Sequence, residues 1–146
     1  MNPRNEIVIA KHLSGGNRPE IVCYHPEDKP DHGLILDSKA YKSGFTIPSG
    51  ERDKMVRYIE EYITKNQLQN PNEWWKNLKG AEYPGIVGFG FISNSFLGHY
   101  RKQLDYIMRR TKIKGSSITT EHLLKTVEDV LSEKGNVIDF FKYFLE

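Results

Sequence analysis

Apolar and polar positions along this chain follow two different periods, and the changes of period mark out its elements. Residues 6–10, EIVIA, are an apolar run of strand length. Residues 20–24 and 33–39 are two more apolar runs, separated by a loop of His, Pro, Asp, Glu and Lys, which is a hairpin pattern. KSGFTIPSG follows as a long connection. From about Glu51 to Asn66 the period lengthens: Met55, Ile59, Tyr62 and Ile63 share one helical face, while Asp53, Arg57 and Glu60 lie off it. NPNEWW predicts a short helix with Asn70 as N-cap and Pro71 at its first position. GIVGFGFIS predicts a buried strand. LGHYRKQLDYIMRRT predicts a second amphipathic helix with Leu97, Tyr100, Leu104, Ile107 and Met108 inward. SSIT is a short strand candidate, Thr119 or Thr120 a cap for a helix through Glu133, and VIDFFKYFLE a closing helix. Strands mixed with helices in this order predict an α/β domain on a small sheet.

The hairpin poses a chemical question. If it is symmetric about its loop, Glu20 faces Asp37, and like charges directly across a strand pair repel. Lys39, two residues beyond Asp37, points to the same face. A divalent cation between the acids relieves the repulsion. Magnesium suits them, because it takes hard oxygen ligands and is held by one or two carboxylates with phosphate and water completing its shell. A lysine beside such a cation orients water or stabilises developing negative charge, the parts that phosphodiester hydrolysis requires. An exposed strand end with an ordinary acid–lysine pair fits the same spacing.

Composition narrows the setting. The chain has 146 residues, 38% hydrophobic and 27% charged, enough for one domain with a core, which we place over residues 1–146. A net charge of +2 does not by itself indicate a nucleic-acid partner. Cys23 is the only cysteine, so no internal disulfide forms, and it reads as a small buried hydrophobe. No apolar run has the length of a membrane span, and the N-terminus lacks a signal-peptide core. The expected setting is the cytoplasm, with no membrane partner.

The acidic hairpin resembles the PD-(D/E)xK nuclease motif. KHLSGGNRPE, LDSKAY, IPSGERDKMVRYIEE, NPNEWW and FISNSFLGHYRKQL, in that order over residues 11–104, resemble the cleavage domain of FokI-type type IIS restriction endonucleases. The resemblance implies a restriction-endonuclease-like fold, a mixed sheet flanked by helices. It implies that Glu20 and Asp37 bind metal and that Lys39 is the catalytic lysine. It also implies magnesium, with manganese as a substitute, and double-stranded DNA cut without sequence preference. Asp53 and Arg57 match the family's dimer contact, with a second copy or another cleavage domain as partner. Recognition then belongs to a separate domain or subunit. Two departures stand out: Glu20 takes the place of an aspartate, and only about ten residues precede KHL, as in a truncated domain or a split enzyme. The alternative they raise is a catalytically impaired nuclease-fold subunit acting as a dimerisation or regulatory partner.

Between Arg101 and Lys114 the chain carries six basic residues and one acid. Arg101, Lys102, Arg109 and Arg110 are candidates for DNA-backbone contact, against the reading of a solvated helix face. Trp74 and Trp75 are expected to pack rather than stack on bases. The histidines His12, His25, His32, His99 and His122 have no metal-ligand spacing. His12, near the loop before Glu20, is a candidate for approaching phosphate. SGG at 14–16 lacks a P-loop lysine pattern and is expected to let backbone pass near the site.

Overall fold

The structure, a computed structural model, describes residues 9–12, 18–24, 33–65, 68, 70–71, 73–77 and 86–132. Five strands form one sheet in the order β1 (Ile9–His12), β2 (Ile21–Tyr24), β3 (Gly33–Lys39), β4 (Ile86–Ser93) and β5 (Lys114–Thr119). The first three are antiparallel neighbours, and β3, β4 and β5 run parallel. Parallel neighbours need crossovers, and helices supply them. Helix α1 (Ser49–Thr64) and a 3-10 turn (Trp74–Asn77) lie between β3 and β4, α2 (Tyr100–Thr111) between β4 and β5, and α3 (Thr120–Leu131) follows β5. The loops at 14–16 and 25–32, the closing segment at 137–146 and the start of the EIVIA run lie outside the described residues, as does the His12 side chain.

The mixed α/β architecture expected from the periodicity is the one observed. Alternation along the strands sorts side chains to the two sheet faces. Val22, Ile35, Phe89 and Phe91 pack on one face against Met55, Ile59 and Tyr62 of α1 and Leu104 and Ile107 of α2. On the other face, Cys23, Leu34, Leu36, Ile92 and Ile118 are buried, with Leu123 of α3 against them. Burial pushes the Cys23 thiol up to about 12, so it is a packing residue rather than a nucleophile. No described helix is long and apolar enough to cross a membrane.

Three expectations are corrected. Ile63 is 55% and Leu97 48% exposed, so neither belongs to its helix's inward face. The stripe of α1 runs through Met55, Tyr58, Ile59 and Tyr62 instead, and α2 begins only at Tyr100, after Leu97. Asn70 does not cap a helix with its side chain. Its Nδ2 donates to Glu61 Oε2 at 2.7 Å, and the turn after it is 3-10. Thr119 does act as a cap: its Oγ1 accepts from His122 N at 3.2 Å at the start of α3.

Trp74 and Trp75 are buried and meet edge-on at 5.8 Å, the packing role expected of them. Gly115 allows a close approach between β5 and β4. A Cβ there would stand 2.2 Å from the Phe89 ring, which is fully buried and has nowhere to move. Gly115→Ala is therefore expected to destabilise the domain by about 1–3 kcal/mol. Chemical denaturation checks this, and an unchanged midpoint would refute the packing account.

Candidate active site

The hairpin register pairs Ile21 with Leu36, Val22 with Ile35 and Cys23 with Leu34. Continued by one step it brings Glu20 opposite Asp37, as the symmetric hairpin predicts. Beyond Ile21 the strand ladder stops, and the Glu20 side chain takes over its hydrogen bonding. Ser38 N donates to Glu20 Oε2 at 3.1 Å, and Ser38 Oγ donates to Oε1 at 2.9 Å. Asp37 lies on the face it shares with Ile35 and Lys39, at the carboxyl end of β3.

The electrostatics of the pair are uneven. Burial is the main force pushing the Asp37 carboxyl up, to about 7; the hydrogen bond with Glu20 and that group's charge add to it, and Lys39 opposes it. Burial also works to raise Glu20, but hydrogen bonds from the Asp37 carboxyl, the Ser38 amide and the Ser38 hydroxyl, with the Lys39 charge, outweigh it and hold Glu20 below its ordinary value. The two acids are thus coupled, with ionisation disfavoured at Asp37 and favoured at Glu20.

Lys39 Nζ stands 3.3 Å from Asp37 Oδ1 and 3.5 Å from Glu51 Oε2. Burial works against its charge, but Asp37 and Glu51 together raise its pKa. Lys39 is therefore a fixed cation, suited to stabilising negative charge and unsuited to accepting a proton from water. Glu51 was not legible as part of this group. It lies twelve positions from Lys39 across an irregular loop, and no period links the two.

That loop is shaped by two unusual backbone positions. Gly44 has φ +96°, and a Cβ on it would fall 2.6 Å from Leu97. Ile47 has φ 55° although it is β-branched and precedes proline, a combination that costs about 1–3 kcal/mol and is held by full burial. A bridge between Phe45 and Phe96 ties the loop to the segment after β4, with Phe45 N donating to Ser95 O at 2.8 Å.

The fit to a divalent cation rests on the donor set. Two facing carboxylates offer hard oxygens with lone pairs beyond the two bonds from Ser38 to Glu20, and burial makes the Asp37 charge one that a nearby cation would stabilise. Among the described residues no group of three or more His, Cys, Asp and Glu side chains surrounds a common point. A cation here would take the rest of its shell from water and phosphate.

Asp53 and Arg57 lie on the outer side of α1, and each already has an internal partner. Arg52 Nε meets Asp53 Oδ1 at 2.9 Å, while the Arg52 guanidinium stacks on Tyr106 at 4.1 Å and donates to Gln103 at 3.0 Å. Arg57 Nε lies 3.3 Å from Oε1 of Glu61, a carboxylate 1% exposed. The basic positions of α2 are exposed but do not form one patch. Arg101 and Lys102 stand at its start, toward the carboxyl ends of the parallel strands, where β3 carries Lys39. Arg109 and Arg110 lie about 12 Å further along the axis. Arg110 there meets Glu60 at 3.3 Å. A cavity of about 530 Å³ beside the first pair is lined by Ser95, Tyr100, Arg101, Ser116 and His122, among others.

Residues 8–146 match the family model described as FokI, cleavage domain. The chain is 40% identical over 117 residues to the type II restriction enzyme FokI of Planomicrobium okeanokoites, covering 78% of this chain and 19% of that protein. It is 30% identical over 124 residues to the type II restriction enzyme StsI of Streptococcus sanguinis, covering 85% of this chain and 19% of the relative. The chain thus spans about a fifth of the length of these relatives. Among solved structures, restriction endonuclease FokI superposes with a TM-score of 0.81 at 31% identity, over 97% of this chain and 25% of that one. FokI bound to DNA superposes with a TM-score of 0.79 at 33% identity, over 94% of this chain and 24% of that one.

Proposed function

The chain belongs to the FokI cleavage-domain family, and from that premise we propose that it is a metal-dependent DNA endonuclease domain, without sequence preference of its own and active as a dimer. The observation that carries this reading is the group at the carboxyl end of β3: Glu20 facing Asp37, with the Lys39 ammonium 3.3 Å from Asp37.

Magnesium, with manganese as a substitute, would be held by Glu20 and Asp37, and when bound would supply charge stabilisation on a phosphate oxygen. The remaining work falls to the chain's own groups. Asp37 would serve as a ligand in its ionised form, with Lys39 beside it to favour that charge. Lys39 holds a positive charge beside the scissile phosphate and orients the attacking water. Arg101 and Lys102 lie where they can contact the DNA backbone as it crosses the site, while Arg109 and Arg110 contribute through longer-range attraction. Recognition belongs to another domain or subunit, and the cytoplasm is the setting.

Asp53 and Arg57 would form the dimer contact, each Asp53 meeting the partner copy's Arg57 across a two-fold axis. Because Arg52 and Glu61 already engage them, the contact competes with internal pairs, and the dimer is expected to be weak. Plasmid cutting should rise more steeply than linearly with protein concentration. Asp53→Ala should raise the concentration needed about tenfold or more while leaving the fold intact. A linear dependence unaffected by Asp53→Ala would rule out dimerisation through this face.

The direct test is nicking and linearisation of supercoiled plasmid with magnesium, manganese or EDTA. Metal-dependent cutting that EDTA abolishes supports the reading. Folded protein that cuts in neither metal favours the alternative, an impaired nuclease-fold subunit serving as a dimerisation partner. The specific observation behind that alternative is Glu20, longer than aspartate and tied at both oxygens to Ser38. Glu20→Asp separates the two, since a large gain in cutting identifies an impaired enzyme.

A further inference from the structure

Lys39 is shared between two carboxylates, and only one of them belongs to the facing acid pair. The other, Glu51, sits in the first turn of α1, where the helix N-terminus favours its charge. Its Oε1 lies 3.5 Å from Lys54 Nζ, a surface contact. Its Oε2 is turned inward, buried and without a hydrogen-bond partner, and the cation beside it is Lys39 at 3.5 Å. An inward, unpaired carboxylate oxygen is costly unless a charge lies opposite it. The loop that delivers Glu51 contains the strained Ile47, so the fold tolerates backbone cost to put the start of α1 here.

We propose that Glu51 is a positioning residue, which shares the Lys39 ammonium with Asp37, keeps it from pairing with Asp37 alone, and so leaves the Asp37 carboxylate accessible to a divalent cation and Lys39 able to face phosphate. Without Glu51, Asp37, already the nearer of the two carboxylates at 3.3 Å against 3.5 Å, holds Lys39 alone, and that closed pair competes with the cation for the same oxygen. This inference rests on the metal-site reading given above and adds to it a residue of this chain that the facing acids do not include.

The test measures manganese binding directly, by titration calorimetry or by loss of the free-ion paramagnetic signal, on the full chain as wild type, Glu51→Gln, Lys39→Met and the double variant. Thermal melting controls for folding. Glu51→Gln is expected to weaken manganese binding about three- to tenfold with an unchanged melting temperature, and to lower kcat for plasmid cutting without changing KM for DNA. In the Lys39→Met background, Glu51→Gln is expected to add nothing, because the group it acts through is gone. Unchanged manganese affinity in Glu51→Gln overturns the proposal. So does an equal loss in both backgrounds, which would make Glu51 a direct or through-space partner of the cation. If the wild type itself binds no manganese, and Asp37→Asn behaves the same, the metal-site reading fails first and the proposal falls with it.

Discussion

Asp37→Asn is expected to abolish DNA cutting and, at the same time, to make the metal-free protein more stable. Removing one of the two carboxylates proposed to hold the cation would take away several kcal/mol of transition-state charge stabilisation, a loss of about a thousandfold or more in rate. The stability gain follows from the direction of the Asp37 shift. Its carboxyl is pushed up to about 7 in the fold, chiefly by burial, so ionising it works against the folded state. That contribution is fully favourable below the unfolded pKa near 4 and is lost as pH rises through about 7. Above pH 7 the Asp37→Asn variant, neutral at that position, should exceed the wild type by about 1–2 kcal/mol, a gain discounted for partial solvent contact and for the lost Lys39 pair.

The same shift predicts the pH dependence of loading. Asp37 must lose its proton to bind the cation, so affinity should fall about tenfold per pH unit below pH 7 and level off above it. Denaturation and metal titration between about pH 5 and 9 check both statements. An Asp37→Asn protein that still cuts, or that is less stable than wild type at about pH 8, would remove the basis for the site.

The second large effect concerns stability alone. Glu61 is a fully buried carboxylate that accepts from Trp74 Nε1 at 2.9 Å and from Asn70 Nδ2 at 2.7 Å on one oxygen, and faces Arg57 with the other. It fastens the 3-10 segment to α1 and anchors the arginine of the expected dimer contact. Glu61→Ala strips the Trp74 indole N–H of its acceptor, removes the charge opposite Arg57 and opens a cavity beside Tyr62 and Trp74, whose rings lie 5.6 Å apart. The expected cost is about 3–5 kcal/mol. Glu61→Gln keeps an acceptor oxygen and nearly the same volume, and should cost about 1–2 kcal/mol. Urea denaturation of the two variants checks the pair. A loss under about 1 kcal/mol for Glu61→Ala would mean the bracket contributes little net stability.

The two-residue alternation of the strands and the helical spacing of Met55, Ile59 and Tyr62 were enough to read the order of elements, because burying one face of each element imposes a period that is local in the chain. The Glu20–Asp37 juxtaposition was legible for a related reason: a hairpin has one register once its loop is centred, so two short runs determine which residues face each other. Lys39 followed from strand alternation alone. Local spacing failed where elements end or meet. Ile63 and Leu97 fit an apolar face by number, but α1 turns Ile63 outward near its end and α2 starts after Leu97.

Glu51 and Glu61 were beyond the reach of any period, since each is defined by a partner on another element: Lys39 across a bent loop, and Trp74 with Asn70 across a turn. Only the tertiary structure could also decide that ionisation is disfavoured at Asp37 and favoured at Glu20. That choice depends on burial and on the two hydrogen bonds from Ser38 to Glu20, and desolvation is a property of the packed surroundings. The sequence by itself determined the fold's layers, the facing acids and the lysine beside them. The packing of α1 against the sheet decided how those charges are shared, because electrostatic interactions at about 3–4 Å depend on distances that pattern and spacing do not encode.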